Sequence, residues 1–219
     1  MAEYRLHCFA QSGNSYKAAL MLQLAGADWA PVFVDFFNGA NRSAEFRALN
    51  PMGEVPVLEH IGLEHDGLVL AQSGVILDYL AGTLGRFGPR DEAGRREILR
   101  WILWDNHKLT SYNATWRFLT NFAPEDKRSA EVIGFLAGRG RAALGVLDTH
   151  LAGRDWIVGE AMTIADLSCV GYMFYEDEFP IDWAADYPAV TAWRERIRAL
   201  PGWKHPYDLM PGHPIPGKV

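Results

Sequence analysis

The sequence predicts a chain of mixed class: an α/β domain over residues 1–82, a connection at 83–90 and an all-α domain over 91–219. Three features predict it. Strand-length runs alternate with helical stretches before residue 80, strand signals stop after residue 91, and AGTLGRFGPR at 81–90 sets Gly and Pro between the two halves. A length of 219 residues allows one large domain or two small ones. The apolar share of 49%, with eight Trp, eight Tyr and eleven Phe, supplies a real core and excludes a disordered tail.

Taken in order, residues 3–9 read as a strand with Tyr4, Leu6 and Cys8 on one face, and AQSGN at 10–14 breaks it. Ala18, Ala19, Leu22 and Ala25 then recur at helical spacing until Gly26. WAPVFVDF at 29–36 is the second strand, with Pro31 pointing to an edge position. One or two helical turns are expected near Ser43–Leu49, and EVPVLEH is a short strand. Asp66-Gly67 is a hairpin signal, Leu68–Leu70 the returning strand, and Ser73–Leu80 a helix. The order β-α-β-α-β-β-α is that of a thioredoxin-like domain. Beyond it, helices are expected at 92–119, 128–152, 163–176 and 188–199. The Pro-rich segment after Pro201 is either a wrapped extension or a loose end.

Charge narrows the partners. The net charge is −6, and residues 1–84 hold four Lys or Arg against nine Asp or Glu. With no basic block, a phosphate backbone meets repulsion, so no nucleic acid is expected as a partner. No apolar leader or spanning run is present, so the expectation is a cytoplasmic chain with no membrane partner. Cys8 and Cys169 lack a CxxC pattern and read as small buried hydrophobes. The seven His include no HExxH, and no metal is expected.

Four short segments carry chemistry or capping. QSGNSYK at 11–17 joins the first strand to the first helix; Ser12 and Asn14 are good caps, and a helix N-terminus also suits a thiolate or carboxylate. In NPMGEVPVL at 50–58, Val55 before Pro56 is expected to be extended, and a cis bond there would turn its backbone outward. In AQSG at 71–74, Ser73 and the first-turn amides can hold a carboxylate or simply cap a helix. Thr163 and Asp166 have capping-box spacing. On 98–119, Trp101, Trp104, Lys108, Tyr112 and Thr115 share a face, with His107 beside them; this is either a co-substrate wall or an aromatic core or dimer surface.

Together these segments resemble the cytosolic glutathione transferase family over residues 3–200, with the bacterial serine-type or Nu-like members as the nearest pattern. QSGNSYK resembles its catalytic segment, NPMGEVPVL its NPxGxVPxL segment, QSGVILDYL its ESxAIxxYL segment, and TIADL its helical-domain capping box. The resemblance implies that glutathione is the co-substrate, with Ser12 bonding the sulfur and Asn14 near it. Val55, ahead of a cis Pro56, would pair with the cysteinyl backbone, and Gln72 and Ser73 would hold the γ-glutamyl end. It implies a homodimer and a co-substrate pocket at the domain seam, here expected from Trp104, His107, Lys108 and Tyr112. The expected partner is a small hydrophobic electrophile. The alternatives are a glutathione-dependent reductase of a small disulfide, or a non-catalytic interaction module.

Overall fold

The computed structural model describes residues 2–61 and 67–212. Its first half is a four-stranded sheet in the order β2-β1-β3-β4, from β1 (Tyr4–Cys8), β2 (Trp29–Phe33), β3 (Val57–His60) and β4 (Leu68–Ala71). β1 runs parallel to β2 and antiparallel to β3, with Leu6 opposite Pro31 on one side and Leu58 on the other. Pro31, which has no N–H to give a neighbour, lies on an edge strand as expected. The expected Asp66-Gly67 turn lies partly outside the described residues. β2 stops at Phe33, short of the expected residue 36, because Asp35 caps a tight turn at Phe36–Asn38 through the Asn38 N–H.

Between β1 and β2 runs α1 (Gly13–Ala25), stopped by Gly26 at φ 71°. Ala18, Ala19, Leu20, Met21 and Leu22 are all fully buried, so α1 is covered all round, by the sheet on one side and the helical half on the other. After α2 (Ala44–Leu49) and the β3–β4 pair comes α3 (Ser73–Leu84). It runs four residues past the expected Leu80, into the expected 83–90 connection, until Gly85 at φ 62° ends it.

The second half is helical: α4 (Glu92–Trp104), α5 (Thr110–Asn121), α6 (Ala130–Leu151), α7 (Ile164–Cys169), α8 (Trp183–Asp186), α9 (Pro188–Arg198) and α10 (Pro206–Leu209). The helix expected over 92–119 is interrupted by a π-turn at Asp105–Leu109. That turn places Asp105, fully buried, where it accepts from Lys17 Nζ at 2.6 Å, Thr110 Oγ1 at 2.7 Å and Ser168 Oγ at 2.6 Å. Lys17 is therefore part of the seam between the halves. The helix expected over 163–176 ends at Cys169 instead. Gly171 follows, and there the chain passes so close to α1 that a Cβ would stand 2.5 Å from Lys17 Cε. The capping box is formed at both ends: Thr163 Oγ1 accepts from Ala165 N–H and Asp166 Oδ2 from Thr163 N–H. One hydrophobic core spans both halves, from Leu6 and Leu20 to Trp116, Leu144 and Trp193.

The segment after Pro201 lies outside the described residues beyond residue 212; over residues 202–212 it is a wrapped extension. It crosses back to the first half, where Ala10 N–H donates to Pro211 O at 2.7 Å and Tyr16 Oη to Lys204 O at 2.9 Å. No described helix is long and apolar enough to cross a membrane.

Candidate active site

At the end of β1 the chain turns sharply into α1, and Ser12 caps that helix: its Oγ accepts the Ser15 N–H at 3.1 Å. With the oxygen so used, the hydroxyl hydrogen is free to donate elsewhere. Gly13 is required by a close approach, since a Cβ would stand 2.5 Å from Gly171 O and 2.7 Å from the Tyr172 ring. Asn14, in the first turn, is half-buried, and its Oδ1 has no hydrogen-bond partner among the described residues.

Across from this loop lies Val55, ahead of a cis bond to Pro56 and outside the β3 ladder. Its N–H and C=O make no hydrogen bond among the described residues. The preceding loop is fixed from within: Asn50 Nδ2 donates to Glu54 O at 2.8 Å and Asn41 Nδ2 to Gly53 O at 2.7 Å. Gly53 takes φ 65°, a conformation few side chains allow.

Ser12, Asn14 and Val55 line a single cleft of about 420 Å³ between the two halves. Pro56, Gln72 and Ser73 are not part of its wall. Gln72 nevertheless reaches it indirectly: its Nε2 donates to Glu54 Oε2 at 3.2 Å, and Glu54 lines the cleft. Gln72 stands ahead of α3 at φ 69°, a strained backbone for a non-glycine residue and one that recurs at ligand sites. Ser73, buried, is the first residue of α3.

The rest of the wall is aromatic and basic. Phe9, Phe36 and Phe37 come from the first half, and Arg117, Phe118, Phe122 and Tyr172 from the second. Phe9 stacks on Phe36 at 4.9 Å between centroids, and Phe37 meets Phe122 across the seam at 5.3 Å. The expected co-substrate residues lie elsewhere. Trp104, Lys108 and Tyr112 do share a face, but it lines a separate hollow against α6, with Arg139 and Val146. His107 is exposed and lines neither. Spacing places residues on one helix face; the packing of Trp116 and Arg117 decides which face meets the first half, and it turns Ala114, Thr115 and Phe118 to the cleft.

Two further groups exclude themselves as the reacting centre. Burial pushes the Cys8 thiol up to about 12, against a small opposing hydrogen bond from Val32, so it stays protonated inside the sheet. Tyr16 is fully buried, and its hydroxyl is committed to Lys204 O on the far side of α1. Arg117 was hidden from sequence reasoning because an Arg on an amphipathic helix ordinarily reads as surface; here it is 3% exposed.

Comparison with known proteins matches residues 3–82 to the glutathione S-transferase N-terminal domain and residues 115–201 to the glutathione S-transferase C-terminal domain. The disulfide-bond oxidoreductase YfcG of Escherichia coli is 30% identical over 88% of this chain and 89% of its own. A crystal structure of a glutathione S-transferase from Xanthobacter autotrophicus superposes with a TM-score of 0.82 at 35% identity, covering 92% of this chain and 95% of that one. A glutathione transferase from Burkholderia graminis, with two glutathione molecules bound per subunit, superposes with a TM-score of 0.81 at 27% identity, over 92% and 85% of the two chains.

Proposed function

Because this chain belongs to the glutathione S-transferase family, we propose that it binds glutathione in the seam cleft and transfers it to a small hydrophobic electrophile. The observation that carries the reading is the pairing, across one cleft, of a serine hydroxyl with a free hydrogen and a valine backbone with both polar groups unused. Val55 would pair in both directions with the cysteinyl residue of the tripeptide. Ser73 and the α3 N-terminus would take the γ-glutamyl carboxylate, and Gln72 its amine side. The sulfur would then fall at Ser12, with Asn14 beside it.

The chemistry is thiol ionisation followed by nucleophilic attack. A free thiol has a pKa near ~8.5, and each unit of lowering needs about 1.4 kcal/mol of preferential stabilisation of the thiolate. A hydrogen bond donated by Ser12 supplies part of it. The S–H proton passes to solvent, the sulfur lone pair forms the bond to the acceptor carbon, and the acceptor releases its leaving group or takes up a proton. The aromatic wall of Phe36, Phe37, Phe118 and Phe122 would hold the acceptor.

A second reading is supported by Asn14 and by the 30% identity to a disulfide-bond oxidoreductase. Two glutathione thiols would reduce a small disulfide to two thiols and leave as glutathione disulfide. Product analysis separates the readings: conjugate from a panel of electrophiles supports the first, glutathione disulfide from a small disulfide the second. Calorimetry showing no glutathione binding at millimolar concentration would remove both. In Ser12→Ala the bound-thiol pKa should rise and kcat near neutral pH fall; unchanged values would mean that Ser12 does not touch sulfur.

We also propose a cytoplasmic homodimer. Val75 and Leu99, both exposed, line one hollow between α3 and α4, and Leu103 is 60% exposed. Val75→Glu with Leu99→Glu should give a monomer in sedimentation velocity; an unchanged dimer would place the contact elsewhere.

A further inference from the structure

Every backbone carbonyl from Phe9 to Ser12 is taken up. Phe9 O accepts the Ser12 N–H at 3.0 Å and Ser12 O the Tyr16 N–H at 3.0 Å. Ala10 O accepts the Tyr175 hydroxyl at 2.6 Å, and Gln11 O accepts Arg117 Nη1 at 2.7 Å. The last two partners come from the helical half. The loop that presents Ser12 is thus drawn back by its negative ends. Its amides are used as well, Ala10 N–H on Pro211 O, Ser12 N–H on Phe9 O, and Gly13 and Asn14 N–H toward the Tyr172 hydroxyl. The donor it offers the cleft is therefore the Ser12 hydroxyl.

Arg117 is the charged member of this arrangement. Its Nε donates to Glu178 Oε2 at 2.6 Å and its Nη2 to the Tyr207 hydroxyl at 3.3 Å, while Tyr207 donates to Glu178 Oε1 at 2.6 Å. Its face lies 4.0 Å from the Tyr175 ring centroid. Burial works against its charge, but Tyr175, Glu178 and Tyr207 outweigh it and hold the guanidinium firmly ionised. A buried ion pair of this kind is a poor source of stability by itself. Here the cation stands between Glu178 and the Gln11 carbonyl and also lines the cleft.

We propose that Arg117 is a positioning residue for thiol chemistry: fixed by Glu178 and by Tyr207 of the C-terminal segment, it holds the Gln11 carbonyl so that Ser12 and a positive field face the sulfur. This rests on the glutathione reading given above. The titratable and charged groups around the loop are Arg117, Glu178, Tyr172, Tyr175 and Tyr207 beneath it, the buried Lys17–Asp105 pair under the start of α1, and Glu54 across the cleft. Glu54, Glu178 and the tyrosines work against a thiolate or leave it indifferent, and Lys17 is neutralised by Asp105 and lies outside the cleft wall, so Arg117 is the cleft-lining cation that favours it.

The test uses the full chain and three variants: Arg117→Gln, Arg117→Lys and Tyr207→Phe. The ionisation of bound glutathione is followed by thiolate absorbance against pH, and S-methylglutathione affinity, which involves no thiol, is measured by calorimetry. In Arg117→Gln the bound-thiol pKa should rise by about one unit, a tenfold loss of thiolate at lower pH. The deficit in kcat should close as pH passes the new pKa, while S-methylglutathione binds within about twofold of the parent, since a uniform binding contact would instead change both. Arg117→Lys should recover part of the shift, and Tyr207→Phe, a mild change in a half-buried side chain, should show a smaller rise of the same sign. A thiol pKa unchanged in both Arg117→Gln and Tyr207→Phe overturns the proposal while leaving the glutathione reading intact. A kcat deficit equal at all pH values, or S-methylglutathione affinity falling in step, also overturns it by showing a merely structural part. Absence of glutathione binding by the parent protein would sink the functional reading and this proposal together.

Discussion

The near wall of the cleft, at Ser12 and Val55, takes its cap and turn from neighbours in sequence and the partners of its Ala10 and Gln11 carbonyls from the helical half, whereas the far wall, at Arg117, Phe122 and Tyr172, is held by residues remote from it. Ser12 is fixed by Ser15, and Glu54 by Asn50. Arg117 depends on Glu178, 61 positions on, and the Tyr175 hydroxyl reaches back 165 positions to Ala10. The difference separates the two tasks of such a cleft. A wall set by local capping and turn chemistry suits a constant tripeptide, while one set by packing can be re-aimed by changes far from it.

That comparison is broken most directly at Asp166, which anchors the helical half. Fully buried, it accepts from Ile157 N–H at 3.0 Å, Thr163 N–H at 2.9 Å and Trp193 Nε1 at 3.0 Å. Asp166→Ala leaves those donors unpaired, and a loss of about 3–5 kcal/mol is expected in urea unfolding. Ser12→Ala on the near wall removes one cap and should cost about 1 kcal/mol. Equal losses from the two variants would mean that the three buried donors on Asp166 count for no more than the single Ser12 cap.

A smaller effect follows from the same carboxyl. Burial pushes Asp166 up to about 6, against the hydrogen bonds from Ile157, Thr163 and Trp193. Its folded value lies above the ordinary one, so the folded state binds the extra proton. The contribution is complete below the unfolded pKa and is lost as pH rises through about 6. From pH ~4 to ~6 it should remove up to roughly 3 kcal/mol of stability in the parent, a dependence absent from Asp166→Asn. Parallel stability profiles for the two proteins would show the carboxyl to be ionised throughout.

The fold was legible where a single residue sets a backbone: Ser12 and Gly26 bound α1, Pro31 marks an edge strand, and Thr163 with Asp166 opens α7. The near wall was legible for the same reason. The far wall was not, because its geometry is tertiary. The π-turn at Asp105–Leu109 answers to a buried Lys17 on another helix, and nothing in DNHKL itself announces it. Arg117 has the composition of a surface residue and the environment of a core one. Tyr207 lies in a Pro-rich segment whose partners, Glu178 and Arg117, are distant in sequence.

The seam itself offers a milder test. Phe37 and Phe122 meet from opposite walls, and aromatic pairs of this kind couple by about 0.5–1.5 kcal/mol. A double-mutant cycle on Phe37→Ala and Phe122→Ala, read as acceptor KM, should return a coupling of that size, with glutathione affinity unchanged. Additive effects would mean that the two rings act on the acceptor separately and the walls do not close on it together.

The smallest expected effect is the sharpest statement about which helix face does the work. Lys108 and Tyr112 carry the side chains that spacing alone would assign to the acceptor, yet they face α6 and line a different hollow. Lys108→Ala and Tyr112→Phe remove a charge and a hydroxyl from that hollow while leaving Ala114, Thr115 and Phe118 where they are. Substitutions away from the core and from bound groups usually change stability by less than about 0.5 kcal/mol, so both proteins should fold normally. Their kcat/KM for a conjugated acceptor should stay within about twofold of the parent, because neither side chain lines the cleft that holds Ser12. A fall of tenfold or more in either variant would bring the α6 hollow into the reaction, and the far wall would then have to be drawn from the face that periodicity indicated.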